Sequence, residues 1–290
     1  MTKAEKKRLI ALPVALAAVA GLSYAGSEGG AVVGTGSLFS LCAWVAVAIQ
    51  WVAFVPSYWM RTERFYDLTG SITYLTVTAV ALGLGPSTDT RSWLLGVLVA
   101  VWAARLGVFL FGRIRSSGAD RRFDEIKKSF IRFFVAWTIQ GVWVCFTMGA
   151  ALAAMVSPRS VPLDTFAWMG LALWIAGFGI EVVADRQKSH FRAHPGNEGQ
   201  FIDSGLWAWS RHPNYFGEIV LWIGIALIAA PALQGWQYVT LLSPVFVTFL
   251  LTNVSGIPLL EARADAKWGG DPRYEHYKAS TPVLVPRPPR

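Results

Sequence analysis

Eight apolar runs, separated by short polar connections, constrain the fold of this chain more than any other feature. Each run is close to the roughly 20 residues that a helix needs to cross a hydrocarbon core about 30 Å thick. In lipid such a segment has to be helical, because its backbone N–H and C=O groups find no water to bond. We therefore predict an all-α, polytopic membrane bundle of seven or eight transmembrane helices, forming one integral membrane domain over residues 1–290. The runs cover residues 9–25, 38–60, 66–84, 93–111, 130–155, 166–184, 215–232 and 236–254.

The first run leaves the number of helices open. It follows a basic head and ends near the small residues Ser23 and Ala25, a pattern that membrane anchors share with cleaved signal peptides. Its length and the many runs after it favour a retained anchor.

The positions of the basic residues indicate the orientation in the membrane. Under an N-terminus-inside topology, 23 of the 26 Lys and Arg residues fall in the N-terminal head, alternate connections and the C-terminal tail. Lys and Arg are retained on the cytoplasmic side. We therefore predict a multi-pass protein of the bacterial inner membrane with both termini in the cytoplasm. The same bias accounts for the net charge of +8 without nucleic acid, so the expected partner is the lipid bilayer.

Residues 210–218 concentrate the chemistry of the chain. They read Ser-Arg-His-Pro-Asn-Tyr-Phe-Gly-Glu and stand directly before an apolar run. Charged groups at the edge of hydrocarbon are costly without partners, so such a segment indicates a functional site. Pro213 suits the first position of a helix, and the N–H groups of a helix N-terminus attract phosphate. The segment predicts a binding site for an anionic ligand at the membrane surface.

Few polar residues lie inside or at the ends of the apolar runs, and most of them fall in the predicted cytoplasmic half. They indicate a polar cavity open to the cytoplasm within the helix bundle. The alternative is a set of interhelical salt bridges, for example Arg105 with Asp67 or Glu181. These polar residues are Asp67, Arg105, Gln140, Glu181, Asp185 and Glu218.

The polar loop over residues 185–207 and the tail after the last run add to the predicted site. The loop is rich in turn-forming residues and reads as a structured lid. In the tail, Tyr274 and Tyr277 suit one helix face, where they could pack on the core or stack on a flat ring. Soluble nucleotide-binding motifs are not found in the sequence, and Cys42 and Cys145 lack metal-ligand spacing, so no metal is expected.

Spaced polar motifs run through the chain from Arg105 to Pro286. They are Asp185-Arg186-Gln187-Lys188, Asn197-x-Gly199, Phe201-Ile202-Asp203-x-Gly205-Leu206-Trp207 and the segment Ser210 to Glu218; in the tail, Pro258-Leu259-Leu260-Glu261, Tyr274-x-x-Tyr277 and Thr281-Pro282; and in the centre, Arg105-Leu106, Arg113 and Asp120-Arg121-Arg122-Phe123. Together they resemble the steroid 5-alpha-reductase superfamily, the 3-oxo-5-alpha-steroid 4-dehydrogenases. Within it they resemble the bacterial branch known only as a domain of unknown function.

The resemblance implies a membrane reductase that binds NADPH in cytoplasmic loops and passes hydride to a carbon–carbon double bond. The implied substrate is a hydrophobic, steroid- or lipid-like small molecule. Residues 105–286 form the reductase-like, cofactor-binding part. The implied cofactor-binding residues are Arg105, Arg113, Asp185, Lys188, Asn197, Ser210, Arg211, His212, Asn214, Tyr215, Glu218, Glu261, Tyr274 and Tyr277.

The helices over residues 1–100 diverge from the family. Where the steroid enzymes carry a Glu before a Pro-Ser pair, this chain has Ala53, and where they carry a Tyr before an Arg it has Trp102. Hydride addition to an enone needs a donor at the developing enolate oxygen. We therefore predict Tyr66 and Asp67 as the catalytic pair, with Tyr74 as the other hydroxyl nearby.

Two other functions remain open from the sequence. Arg-His-Pro-x-Tyr alone is shared with membrane methyltransferases, so one alternative uses S-adenosylmethionine on a lipid or isoprenylated acceptor. The other alternative is a transporter or lipid-binding protein without catalysis, although the two halves of the chain show no internal repeat.

The basic-residue distribution makes one testable prediction. We expect a C-terminal alkaline phosphatase fusion to be inactive and a C-terminal green fluorescent protein fusion to be fluorescent, since both termini are predicted to be cytoplasmic. Phosphatase activity at the C-terminus would contradict the predicted topology.

Overall fold

Helices form almost every element of the chain, as the apolar runs predict. The computed structural model describes residues 3–86, 89–117 and 123–289, without the side chains of residues 3–9, 116 and 117. A short antiparallel hairpin, β1 (Val32–Val33) with β2 (Gly36–Ser37), separates the first two helices. The helices are α1 (Lys3–Ser27), α2 (Leu38–Trp59), α3 (Tyr66–Leu84), α4 (Thr90–Ser117), α5 (Phe130–Thr147), α6 (Gly149–Met155), α7 (Thr165–Ala193), α8 (Pro213–Ala229), α9 (Ser243–Phe249), α10 (Ile257–Trp268) and α11 (Pro272–Ser280).

Among the described residues, eight helical segments are long and apolar enough to cross a membrane. This confirms the predicted polytopic membrane bundle. The observed elements differ from the predicted runs in two places. The fifth run divides at Met148 into α5 and the short α6. The eighth run begins as a 3₁₀ helix (Gly235–Leu242) and includes a π-helical turn (Leu250–Val254), which joins α9 to the segment before α10.

Near the π-helical turn, threonine hydroxyls bond to backbone carbonyl oxygens that also accept the N–H groups of a regular helix. Thr248 donates its hydroxyl hydrogen to the Pro244 carbonyl oxygen, and Thr252 donates to that of Thr248, each at 2.7 Å. Such back-bonding from Thr slightly destabilises regular helix and often bends it. A run that looks uniform in hydropathy therefore contains a change of helix type.

The chain divides into two compact units. The first comprises residues 1–167 and 226–243, and the second comprises residues 168–225 and 244–290.

In the first unit, glycines let α3 and α4 pack closely. A Cβ at Gly107 would lie 2.7 Å from Cβ of Ser71, and a Cβ at Gly96 would lie 2.5 Å from Cδ1 of Leu82. Small residues at helix contacts allow this approach, which is the main source of association between helices in lipid. Close by, the Tyr74 ring meets the buried Trp102 edge to face, with the centroids 5.1 Å apart.

Arg91, at the start of α4, is the most deeply buried cation described in the first unit, with 1% of its side chain exposed. Its guanidinium donates to the carbonyl oxygens of Ile228 and Pro162, both at 2.6 Å, and to that of Val161 at 3.2 Å. It also lies 3.0 Å from a carboxylate oxygen of Asp164. The planar fork of Arg matches several acceptors at once. Arg91 therefore joins α4, the segment before α7 and the end of α8.

The second unit also depends on close helix contacts. A Cβ at Gly177 of α7 would lie 2.5 Å from the Gly217 carbonyl oxygen of α8, and a Cβ at Gly217 would lie 2.7 Å from the Glu181 backbone nitrogen. The backbones of α7 and α8 therefore touch along this stretch. The polar end of α7 was predicted to be part of a lid loop, but the helix continues to Ala193.

The contacts of Arg91 predict a large cost for its removal. Arg91→Met keeps the apolar volume but leaves buried carbonyl oxygens unpaired, at about 1–3 kcal/mol for each group left without a partner. We expect a clearly lower thermal unfolding temperature in detergent, with exposed Arg115→Met unchanged as the control. Equal unfolding temperatures for both variants would contradict this role of Arg91.

Candidate functional site

The candidate site is built around the N-terminus of α8 in the second unit. Helix α8 begins at Pro213, as predicted, because Pro at the first helical position gives up an N–H that would have no intrahelical partner. Just before the helix, the Ser210 hydroxyl accepts a hydrogen bond from the His212 backbone N–H at 3.1 Å. This local turn places Arg211 and His212 at the helix entrance.

A carboxylate from α10 joins these two side chains. Glu261 Oε1 lies 2.7 Å from His212 Nε2, and Glu261 Oε2 lies 2.8 Å from Arg211 Nη1. Arg211 and Glu261 therefore form an ion pair. The Nη1–H bonds do not point at the carboxylate oxygen, so Nη1 donates no hydrogen bond to the described residues. Opposite charges therefore compensate each other at a largely buried position, with 11% of the Arg211 side chain and 21% of the Glu261 side chain exposed.

The imidazole of His212 is held in one tautomer. Burial lowers the pKa of His212, the hydrogen bond and charge of Glu261 partly offset this effect, and the positive charges of Lys188 and Arg211 lower the pKa further. The ring is therefore neutral near pH 7. Since the Glu261 carboxylate can only accept, Nε2 carries the hydrogen and Nδ1 presents a lone pair. The ring also stacks on that of Tyr215, with centroids 5.7 Å apart.

Several buried polar atoms of this cluster have no hydrogen-bond partner among the described residues. They are Nε and Nη1 of Arg211 and Nδ1 of His212. A buried polar group without a partner costs about 1–3 kcal/mol, and more when charged. The arrangement therefore suits a ligand whose anionic oxygens accept from Arg211 and whose hydrogen-bond donor reaches His212 Nδ1. The N-terminus of α8 beside the cluster also favours an anionic ligand.

A second polar contact lies on the first turn of α8. The Asn214 amide donates to Asp185 Oδ1 of α7 at 3.3 Å, and Asp185 is buried. Glu181, one helical turn earlier on α7, is also buried, while Glu218 of α8 is half-buried. The close backbone contact of α7 and α8 brings these groups to the same region as Arg211. An amide and carboxylates of this kind can bind hydroxyl and amide groups of a ligand.

Other predicted cofactor residues make contacts within the protein. The Lys188 ammonium lies 4.0 Å from the centre of the Trp207 ring. The Asn197 amide closes a turn by donating to the Phe191 carbonyl oxygen at 2.9 Å. Both residues order the segment between α7 and α8, which was predicted to be a lid.

Tyr274 and Tyr277 pack their rings on Phe201, with centroids 5.3 and 5.4 Å away. The Tyr274 hydroxyl donates to Asp265 Oδ1 at 2.9 Å and the Tyr277 hydroxyl donates to the Trp207 carbonyl oxygen at 2.8 Å. Burial raises the pKa of both hydroxyls. Of the two roles left open by their spacing, these contacts favour packing over ring stacking on a ligand.

The remaining predicted residues belong to the first unit. The Tyr66 hydroxyl donates to the Ala136 carbonyl oxygen at 2.9 Å. Asp67 lies 3.7 Å from the guanidinium of Arg113, and Arg105 lies over the ring of Phe109 at 5.0 Å. Asp67 therefore has an ion-pair partner on α4. Residues 120–122 of the central motif lie outside the described residues.

The sequence reading missed two contributors to this region. Gln187 accepts a hydrogen bond from the Leu206 N–H at 2.9 Å and contacts the left-handed turn at Gly205, whose φ is 60°. The tail beyond α11 bonds to the residues before α8. Gly205 was a visible turn signal, and the sequence analysis included the tail as far as Thr281-Pro282, but it did not predict bonds from residues 282–287 to the segment before α8.

Comparison with known proteins gives matches of two kinds. The profile of the family described as "Protein of unknown function (DUF1295)" matches residues 53–281. The 3-oxo-5-alpha-steroid 4-dehydrogenase 1 of Rattus norvegicus is 34% identical over 118 residues, and that of Bos taurus is 30% identical over 118 residues. An uncharacterized protein of Schizosaccharomyces pombe is 22% identical over 185 residues, covering 53% of this chain and 54% of the relative.

The similarity to the steroid enzymes is partial. Each match covers 40% of this chain and 40% of the relative. No solved structure matches the chain. The predicted resemblance to the steroid 5-alpha-reductase superfamily, in its branch of unknown function, is confirmed.

Proposed function

We propose, from the premise that this chain belongs to the DUF1295 family, that it is a membrane-embedded NADPH-dependent reductase. Its proposed reaction is the reduction of a carbon–carbon double bond in a hydrophobic, steroid- or lipid-like substrate. The partial similarity to 3-oxo-5-alpha-steroid 4-dehydrogenase 1 supports the reaction class. The single observation that carries the proposal is the cluster of Arg211, His212 and Glu261, whose buried polar atoms lack partners.

The cluster fits the phosphate groups of a dinucleotide. Arg211 provides a fixed positive charge with unpaired buried N–H groups, and the entrance of α8 adds the partial positive charge of a helix N-terminus. Glu261 forms a hydrogen bond with His212 and an ion pair with Arg211. The imidazole and the guanidinium are therefore each held in one orientation. A preorganised site loses less conformational entropy when it binds its ligand.

The pair of Asp185 and Asn214 fits the uncharged parts of the cofactor. Carboxylate and amide groups bind ribose hydroxyls and the nicotinamide amide. We assign Glu218 to the same role from its position one turn further along α8. Bound NADPH would supply a hydride to one carbon of the double bond, and a proton would complete the reduction at the other carbon.

Tyr66 is the proposed proton donor. Its hydroxyl hydrogen is shared with the Ala136 carbonyl oxygen, and its ring lies against those of Phe123 and Trp137, so its orientation is fixed. To act as the acid, the hydroxyl has to exchange this carbonyl for the developing enolate oxygen. Asp67 is the proposed positioning partner at the start of α3.

Cofactor binding is tested with the purified protein in detergent. We expect wild-type protein to bind NADPH, Arg211→Ala to bind at least about tenfold more weakly through loss of a charge-assisted hydrogen bond, and Asn214→Ala to bind more weakly as well. Dissociation constants would be measured by isothermal titration calorimetry. Exposed Arg263→Ala, on the same helix as Glu261, is the matched control. Binding of S-adenosylmethionine in place of NADPH would favour the methyltransferase function. Binding of neither would contradict both the reductase and the methyltransferase functions.

The acid is tested by removing one oxygen atom. With any enone that wild-type protein reduces, Tyr66→Phe should lower NADPH oxidation by about 10²-fold or more while NADPH affinity is kept, as expected for loss of a general acid. Tyr58→Phe on α2 is the control. An unchanged rate for Tyr66→Phe, with a lower unfolding temperature, would assign the hydroxyl to the structural bond with Ala136 alone.

A further inference from the structure

The residues that lead into α8 belong to no regular secondary structure, yet three of them, Trp209, Ser210 and Arg211, are bonded to the C-terminal tail. The Arg211 N–H donates to the Pro282 carbonyl oxygen at 2.9 Å, and the Ser210 hydroxyl donates to that of Leu284 at 2.8 Å. The Arg287 N–H donates to the Trp209 carbonyl oxygen at 3.0 Å. Three consecutive residues are thus fixed by one short stretch, residues 282–287, which we name the C-terminal strap.

The strap is suited to hold a fixed shape without a helix or sheet of its own. It contains Pro282 and Pro286, whose rings fix φ at about −65° and restrict the residue before each proline, while residues 283–285 form bends. Its start is anchored, since Thr281 is buried and its N–H bonds to the Tyr277 carbonyl oxygen at 2.9 Å. A stretch whose backbone is already restricted by proline loses less conformational entropy when it bonds to the segment beside it.

These bonds act on the residues that carry the candidate site. Arg211 is bonded to the strap through its backbone and reaches Glu261 through its side chain. Ser210 bonds to the strap with the same oxygen that receives the His212 N–H. Displacement of the strap would therefore release both the backbone of Arg211 and the turn that places His212.

We propose that the C-terminal strap is a positioning element that sets the affinity of the site for its dinucleotide. This inference rests on the proposed function, and it adds to it a segment that acts through its bonds to Trp209, Ser210 and Arg211. Because coupling between two events is reciprocal, a ligand bound at Arg211 also stabilises the strap against opening. A tail that only contributed to folding would show no such dependence on the ligand.

Two substitutions at one residue of the full chain separate the strap bond from the charge of Arg287. Arg287→Pro removes the N–H that bonds to Trp209, while Arg287→Ala removes the charge and keeps the N–H. We expect the dissociation constant for NADPH to rise about three- to tenfold in Arg287→Pro, the effect of one hydrogen bond, and to stay within twofold of wild type in Arg287→Ala.

A measurement on wild-type protein covers the case in which Arg287→Pro does not fold. Hydrogen–deuterium exchange of peptides that contain Arg211 and Arg287 should be slower with saturating NADPH than without it. The peptide over the exposed end of α10, which contains Arg263, is the reference.

The outcomes separate the two proposals. If wild-type protein does not bind NADPH, the proposed function fails. If wild-type protein binds NADPH but Arg287→Pro binds it equally well, or if NADPH leaves exchange in the strap unchanged, the strap proposal is overturned and the proposed function stands.

Discussion

The burial of charged groups away from water is the constraint on which most of this structure depends. Two arginines show its two outcomes. Arg91 is surrounded by carbonyl oxygens and a carboxylate, so its hydrogen-bonding capacity is used within the protein. Arg211 has its charge balanced by Glu261 but keeps buried N–H groups without partners. An arginine therefore connects packed segments in the first unit, whereas an arginine in the second unit keeps N–H groups that can bind a ligand.

The close contact of α7 and α8 is what makes the second arrangement possible. Gly177 and Gly217 let the two backbones touch, which places Asp185 beside Asn214. A Cβ at either glycine would lie 2.5 Å from a backbone atom of the other helix, so the two helices would have to move apart. The glycines thus contribute to the chemistry of the site although they carry no functional group.

The segment before α8 depends on elements from three parts of the chain. Glu261 comes from α10, the strap comes from the C-terminus, and the turn at Ser210 is local. These contacts lie outside the hydrogen-bond pattern of any helix or sheet, and they are made by the Glu261 and Ser210 side chains and by backbone groups of the strap. This explains how a short irregular segment can hold two charged or polar side chains in fixed orientations.

The membrane helices and the start of α8 could be predicted from the sequence alone. Hydropathy over about 20 residues is a local property, because a helix in lipid satisfies its own backbone, and Pro213 marks the first helical position from its covalent structure. The sequence also singled out Arg211, His212 and Glu261, since charged groups beside apolar runs are costly and therefore conspicuous. Their pairing was not evident, because Glu261 lies far along the chain from the other two.

Which candidate residues bond to each other and which pack depends on the three-dimensional arrangement of the helices. Tyr274 and Tyr277 have the spacing of a shared face, but the position of Phe201 directs their rings to packing. The partners of the strap were not evident from its residues, because its bonds to Arg211 and Trp209 are made by backbone atoms that every residue has. Side-chain chemistry and hydropathy can be read along the chain, whereas contacts between distant segments depend on the path of the backbone, and that path is fixed only when the helices pack.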